Sequence, residues 1–302
     1  MATLKDIRRR IRSIQSTQQI TKAMEMVAAA KLRRATERAQ AIRPYAMKMT
    51  TILENAAGAA SELAHPLFDV REVRRRTVVV LASDKGLAGS YNANIFREAE
   101  IFTRPFDRSS LDLIPVGRRA NDYFAKRGYQ GSLRIVELGD RANLGKAQAL
   151  ARHLVDLYTR KETDEVVLLY THFISMGTRR IVEERLLPIR PAAAEGTSEG
   201  KEEGRAEGKE ASEKRAARDY IFEPSPERIF RSLLARYVQT RVLTAMADAL
   251  ASEHAARLFS MSAATKNAGE VIQALTLVRN KLRQAAITKE ISELVGGAEA
   301  LK

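Results

Sequence analysis

Few residues of this chain are of types that do chemistry, and most of those are scattered. Four histidines, His65, His153, His172 and His254, are the natural metal ligands and proton carriers near neutral pH. None has a second histidine or a carboxylate at a metal-site spacing, and Glu253 beside His254 points to a different helix face. The chain has no Cys, which removes disulfides, Cys-ligated zinc, iron–sulfur clusters and thiol nucleophiles. The carboxylate pair Glu183–Glu184 sits among arginines and reads as a solvated face, and nothing resembles a nucleophile beside its base. One turn has the composition of a phosphate cradle, SDKGLAGSYN from Ser83 to Asn92, because a glycine-containing turn between strand and helix can present N–H groups to an anion. It matches neither GxxxxGK[ST] nor GxGxxG. Asp84 and Gly86 fit a tight turn, and Ser90 or Asn92 fits a helix cap. No catalytic residue, cofactor or metal is therefore expected.

Charge is the more informative feature. The 302 residues carry 51 Lys+Arg against 37 Asp+Glu, a formal net charge of +14, with only 6% aromatic residues and no Trp. Residues 1–43 hold eleven positive and three negative side chains, so more than half of the excess lies in the first seventh of the chain. An acidic partner is expected there. The run Arg8-Arg9-Arg10 with Arg12 is the best candidate for nucleic acid, on a helix beside a hydrophobic seam as in a zipper protein. However, Ile7 and Ile11 carry the seam straight through the run, on the face a groove would need. The longest apolar runs, such as Val78 to Ala82, are far below the roughly 20 residues that span a bilayer. The first residues, MATLKDIRRRIRSIQ, contain no secretory hydrophobic core, so a soluble, cytoplasmic chain is expected.

The elements that position these residues fall into two kinds. From Leu4, alternating steps of three and four reach Ile7, Ile11, Ile14, Gln18, Thr21, Glu25, Ala28, Leu32, Ala35, Ala39 and Ile42, which is the spacing of a coiled-coil seam. Thr3 with Asp6 forms an acidic capping box before it, and the pattern allows continuation past Pro44, with a kink, to about Gly58. At the other end Ser225-Pro226 reads as N-cap and first helical residue. The second seam runs Leu258, Met261, Thr265, Ala268, Ile272, Leu275, Arg279, Leu282 and Ala286, with Gly296–Gly297 expected to end the helix. At 1.5 Å per residue, helices over 227–295 and 3–43 would measure roughly 100 and 60 Å, longer than an ordinary domain is wide. They are expected to pair antiparallel and to leave apolar surface, including Ile291, Leu294 and Val295, for another protein. The competing reading breaks the second helix at Gly269 and folds both pieces into a compact bundle.

Residues 77–190 have another rhythm. Strands are expected at Thr77–Ala82, Leu111–Val116, Leu133–Leu138 and Asp164–Phe173, with helices near 92–104, 117–127 and 144–160. That alternation predicts an α/β layer domain with a mainly parallel, Rossmann-like sheet. Residues 192–218 hold 13 charged residues and four glycines with no bulky apolar side chain, a low-complexity insert unable to fold by itself. The expected organisation is thus an N-terminal shaft helix over 1–58, a base domain over 77–190, the insert over 192–218 and a C-terminal shaft helix over 220–302.

Five blocks carry a family resemblance: ITKAMEMVAAAKLRRA (Ile20–Ala35), SDKGLAGSYNANI (Ser83–Ile95), YIFEPSPERI (Tyr220–Ile229), LASEHAAR (Leu250–Arg257) and RNKLRQAAITKEISELVGGAEAL (Arg279–Leu301). Together they resemble the gamma subunits of F-type ATP synthases, over both ends and the middle with only the insert outside. The resemblance implies an antiparallel coiled-coil shaft inside a ring of alternating alpha and beta subunits, with the α/β base resting on the membrane's c ring beside the epsilon subunit. It implies a non-catalytic rotor that couples proton flow to ATP synthesis at the beta sites, reversibly with hydrolysis, and is peripheral to the membrane. Lys22, Lys31, Arg33 and Arg34 would face the acidic lever of beta, with Met24 near it. Arg283 and Gln284 would touch the catch loop of beta. Tyr220, Phe222 and Glu223 would meet the c ring and epsilon.

Three departures stand out. Ala88 occupies a position where the family often has Cys, and Arg279 replaces a frequent Tyr in the seam. The insert follows Leu186-Leu187-Pro188, near where chloroplast relatives carry a redox-switched segment, and without Cys that switch is excluded. With no presequence, the cytoplasmic face of a bacterial plasma (inner) membrane is the expected location. The runner-up reading is a basic coiled-coil protein that binds nucleic acid; the third is an α/β enzyme using the Ser83–Asn92 turn.

Overall fold

A computed structural model of the chain describes residues 3–59, 65–139, 143–189 and 226–299, with side chains undescribed at 54–59, 226–231 and 297–299. The insert over 192–218 lies outside the described residues. Helix α1 runs Leu4–Ala59 and carries Pro44 inside it. Its start is fixed as the sequence predicts. The Thr3 Oγ1 donates to Asp6 Oδ2 at 2.7 Å, and the Thr3 N–H donates to the same oxygen at 3.2 Å. The Asp6 N–H in turn points at Thr3 Oγ1, 3.2 Å away. These bonds occupy N–H groups that a helix start otherwise leaves without partners. All twelve seam positions of α1 are buried or half-buried, including polar Gln18, Thr21 and Glu25.

Helix α5 runs Pro226–Glu299, unbroken at Gly269, so the compact-bundle reading fails. It also continues through Gly296–Gly297, where an end was expected. A helical glycine costs only about 1 kcal/mol relative to Ala, which is a penalty and not a stop.

Between these helices lie β1 (Arg76–Leu81), α2 (Tyr91–Thr103), β2 (Leu111–Val116), α3 (Arg118–Ala125), α4 (Leu144–Thr159), β3 (Glu165–Phe173) and β4 (Arg179–Leu187). The sheet order is β2-β1-β3-β4. β1 pairs in parallel with β2 and β3, and β4 joins antiparallel at the edge, with Tyr170 opposite Val182 and His172 opposite Arg180. Two strand expectations need correction. Leu133–Leu138 forms no strand beyond a single bridge from Ile135 to Val116. Its ladder donors go elsewhere: the Ser132 N–H to Asp112 at 2.9 Å and the Glu137 N–H to Asp84 at 3.0 Å. Glu137 also turns to a positive φ of 58°, which ends extended backbone. Conversely β4 was not anticipated, because Arg179, Arg180, Glu183, Glu184 and Arg185 mask a half-buried strand.

Contacts divide the chain into two units: Met1–Ala30, Leu87–Gly89 and His254–Lys302 form one, and Lys31–Gly86 with Ser90–Glu253 the other. In the first, Gln18 Nε2 donates to the Thr265 carbonyl at 3.4 Å and Thr265 Oγ1 to Thr21 Oγ1 at 2.9 Å. A Cβ on Gly269 would come within 3.1 Å of Gln18 Nε2, so the glycine permits this close approach.

In the second unit the sheet has a core on each face. Val78, Val80, Leu113 and Leu169 pack with Ile95, Phe96 and Ala99 of α2 and Ala120 and Phe124 of α3. Val79, Ile114, Leu168 and Tyr170 face the other way, in a core with Leu150 and Leu154 of α4 and Leu234, Val238, Val242 and Ala245 of α5. Each large apolar side chain so buried contributes about 1.5–3 kcal/mol.

Candidate functional site

The Ser83–Asn92 turn is occupied by its own chain. Asn92 was a candidate cap, but its Oδ1 accepts from the Ser83 N–H at 3.2 Å, and Ser90 makes no side-chain cap bond to α2. Asp84 Oδ1 accepts the N–H groups of Arg118 and Glu137, each at 3.0 Å, which places a carboxylate at the start of α3. Over Gly86 lies the Arg119 guanidinium, so close that a Cβ there would sit 2.6 Å from its Nη2. Carboxylate and guanidinium fill the places an incoming phosphate and its counter-charge would take.

Each histidine is engaged structurally. His65 Nδ1 accepts from the Leu67 N–H at 3.2 Å, capping a short 3-10 turn at Pro66–Phe68. His153 Nε2 lies 2.8 Å from Ser132 Oγ, which donates to Asp112 at 2.6 Å. His172 Nδ1 is 2.6 Å from Asp248 Oδ2. His254 is buried, with Nδ1 3.4 Å from Arg257. Among the described residues no three His, Cys, Asp or Glu side chains gather as a metal site.

Sequence reasoning missed a polar ladder on the sheet face under α5. Tyr170 Oη donates to Glu184 at 2.8 Å, and Arg241 Nε donates to the same carboxylate at 2.7 Å. Glu184 is therefore no solvated surface acid. Burial, followed by the Glu184 charge, pushes the Tyr170 phenol up. Burial opposes the Arg241 charge, but Glu184 outweighs it and holds the guanidinium above its ordinary value. Neighbouring Glu183 is raised as well, by burial first and then by Glu98. Further along, His172 meets Asp248, and Ser252 Oγ donates to the Thr171 carbonyl at 3.0 Å. Positions 241, 248 and 252 share one helix face, a spacing visible in the sequence. Their partners, dozens of residues away, are not.

The residues expected to meet partners are dispersed. Lys22 is exposed and pairs with Glu25 at 3.1 Å, Met24 is half-buried, and Lys31 is half-buried. Arg283 and Gln284 are exposed, in a stretch where every residue from Lys281 to Gly296 is exposed. That stretch includes the large apolar side chains Leu282, Ile287, Ile291, Leu294 and Val295. Arg8, Arg9, Arg10 and Arg12 are exposed, while Ile7 and Ile11 bury the seam between them. Tyr220, Phe222 and Glu223 lie outside the described residues. No helix among the described residues is long and apolar enough to cross a membrane.

This arrangement has known counterparts. A family model described as ATP synthase matches residues 3–301. The ATP synthase gamma chain of Desulforamulus reducens is 45% identical over 302 residues, covering all of both chains, and that of Heliobacterium modesticaldum is 44% identical over the same span. The chain belongs to the ATP synthase gamma family. A similar fold is seen as well in the Tetrahymena thermophila mitochondrial ATP synthase central stalk and c-ring structure. Its matching chain has a TM-score of 0.59 at 25% identity, covering 81% of this chain and 99% of that one. A chain of the Euglena gracilis mitochondrial ATP synthase shares the fold with a TM-score of 0.65 at 17% identity, over 99% of this chain and 94% of that one.

Proposed function

We propose that this chain is the central-stalk rotor subunit of an ATP synthase, coupling c-ring rotation to successive conformational changes at catalytic sites on beta subunits, in synthesis and in reverse. The observation that carries the reading, within the family, is the α5 stretch from Lys281 to Gly296. It is helical, studded with aliphatic side chains and bare. Several large aliphatic residues held exposed on one helix need a protein surface around them.

On this reading residues 1–58 and 220–302 form an antiparallel coiled-coil shaft within an alpha–beta ring, and residues 77–190 form the base against the c ring and epsilon. Support for the antiparallel sense comes from Gln18 lying against Gly269 and Thr265, while the later Thr21 meets the earlier Thr265. Lys22, Met24 and Lys31 face the acidic lever of beta, where individually exposed ion pairs of about 1 kcal/mol or less suit repeated making and breaking. Arg283 and Gln284 engage a beta loop, and Tyr220, Phe222 and Glu223 engage the c ring and epsilon. The subunit itself is non-catalytic and binds no cofactor. It works at the cytoplasmic face of a bacterial plasma membrane, peripheral to it through the complex.

Co-expression with alpha, beta, epsilon and c subunits tests this. Inverted membrane vesicles should show ATP-driven proton pumping that depends on the chain. A chain that stays a lone monomer in the presence of those subunits overturns the proposal.

A further inference from the structure

On the α5 face that carries Arg241, Asp248 and Ser252, Ala245 and Ala249 are also buried, and side chains this short interlock poorly with what they touch. Apolar contact is non-directional, and directional bonds add to its hold on the rotation of a helix; those from α5 to the sheet and α2 span about three turns. Arg241 holds Glu184 of β4, which also accepts from Tyr170 of β3. Tyr91 Oη donates to the Ala249 carbonyl at 3.0 Å, and Ser252 reaches the Thr171 carbonyl. At the centre, Asp248 meets His172 of β3 at 2.6 Å.

The central pair differs from the others. The Asp248 side chain is 3% exposed, and its Oδ1 has no hydrogen-bond partner among the described residues. The contact with His172 is therefore the one hydrogen bond its carboxylate makes there. A buried carboxyl of this kind needs its hydrogen-bond partner opposite, and turning α5 by even a fraction of a residue would separate the two. We propose that His172 and Asp248 are positioning residues, a hydrogen-bonded pin that helps lock α5 to the sheet so that rotation passes between base and helix without slip. The inference rests on the rotor reading above, and it assigns a role to residues outside every expected partner contact.

The test uses the assembled complex in inverted membrane vesicles, with ATP hydrolysis, ATP-driven proton pumping and ATP synthesis measured together. In the double variant His172→Leu with Asp248→Leu, an apolar pair replaces the hydrogen-bonded one. Such replacement leaves folding neutral or improved, so a purely structural role predicts normal behaviour throughout. The pin predicts assembly and unloaded hydrolysis within about two-fold of the parent, but ATP synthesis and protons pumped per ATP lowered about three-fold or more. His172→Lys keeps a hydrogen-bond donor opposite Asp248 and should couple within about two-fold of the parent. If the Leu pair couples like the parent, or if the Lys variant couples as poorly as the Leu pair, the pin is overturned. If vesicles with the unaltered chain assemble and hydrolyse ATP without pumping protons, the rotor reading falls, and the pin with it.

Discussion

One helix shows two regimes. Along α5, residues 245–253 are all buried, and residues 281–296 are all exposed. Both stretches are rich in good helix formers, and both carry charge. In the first, Asp248 is desolvated and answered by His172 at 2.6 Å. In the second, Lys289 and Glu293 make an open surface pair at 3.5 Å. Helical continuity is therefore a local matter of propensity and hydrogen bonding, while burial is decided by what lies opposite. A helix can continue with a face that none of the described residues covers.

That contrast can be broken or sharpened by substitution. The largest effect is expected at Leu234→Ala, since Leu234 is fully buried in the core with β3 and α4. Chemical denaturation should show a loss of about 2–5 kcal/mol. Removing one partner of the ladder comes next. Glu184→Ala strands Arg241 and Tyr170, both bonded to it, and should cost about 3 kcal/mol, the low end for a buried pair because Arg241 retains some water contact. The same ladder gives a pH signature. Tyr170 is raised in the folded chain, first by burial and then by Glu184, so the unfolded chain loses that proton first. Its contribution to stability is intact below about pH 10 and falls as pH rises beyond it. A Tyr170→Phe variant should flatten that alkaline loss in melts recorded across pH.

Smaller still is Thr3→Ala, which removes the reciprocal bonds with Asp6. About 1 kcal/mol of helix-start stability should go, read as faster amide exchange in the first turn. Acid should mimic it. The Thr3 bonds hold the Asp6 carboxyl below its usual range, so their help is present above about pH 4 and lost as pH falls through the lowered value. Least of all, Leu294→Ala, at a residue 74% exposed, should change the chain's own stability by no more than about 0.5 kcal/mol. A large loss there would mean that the bare stretch is covered by the chain itself, and the contrast would collapse.

What could be read in advance follows the reach of each interaction. The α1 seam was legible down to Gln18, Thr21 and Glu25, because burial on a long helix repeats with its own period. The strands β1, β2 and β3 were legible as apolar runs. β4 was not, since a strand at a sheet edge under a helix alternates charges whose partners come from elsewhere, as Glu184 does from Arg241. Leu133–Leu138 looked like a strand because side-chain carboxylates that divert its N–H groups, Asp112 and Asp84, leave no mark on its own residues. The His172–Asp248 pair lies 76 positions apart, and nothing in either local pattern announces it. The resemblance of the terminal blocks pointed to the family, whereas the residues expected to touch partners follow from that resemblance alone.

The Arg119 guanidinium over Gly86 has a last consequence. Parallel sheets of this kind commonly receive nucleotides at the turn where a strand gives way to a helix. Here the chain supplies its own ligand mimic, the Asp84 carboxylate at the helix start where a phosphate would rest and the Arg119 guanidinium over Gly86 where its counter-charge would be. A turn so filled offers an incoming anion neither the backbone N–H groups of Arg118 and Glu137, already taken by Asp84, nor open space over Gly86.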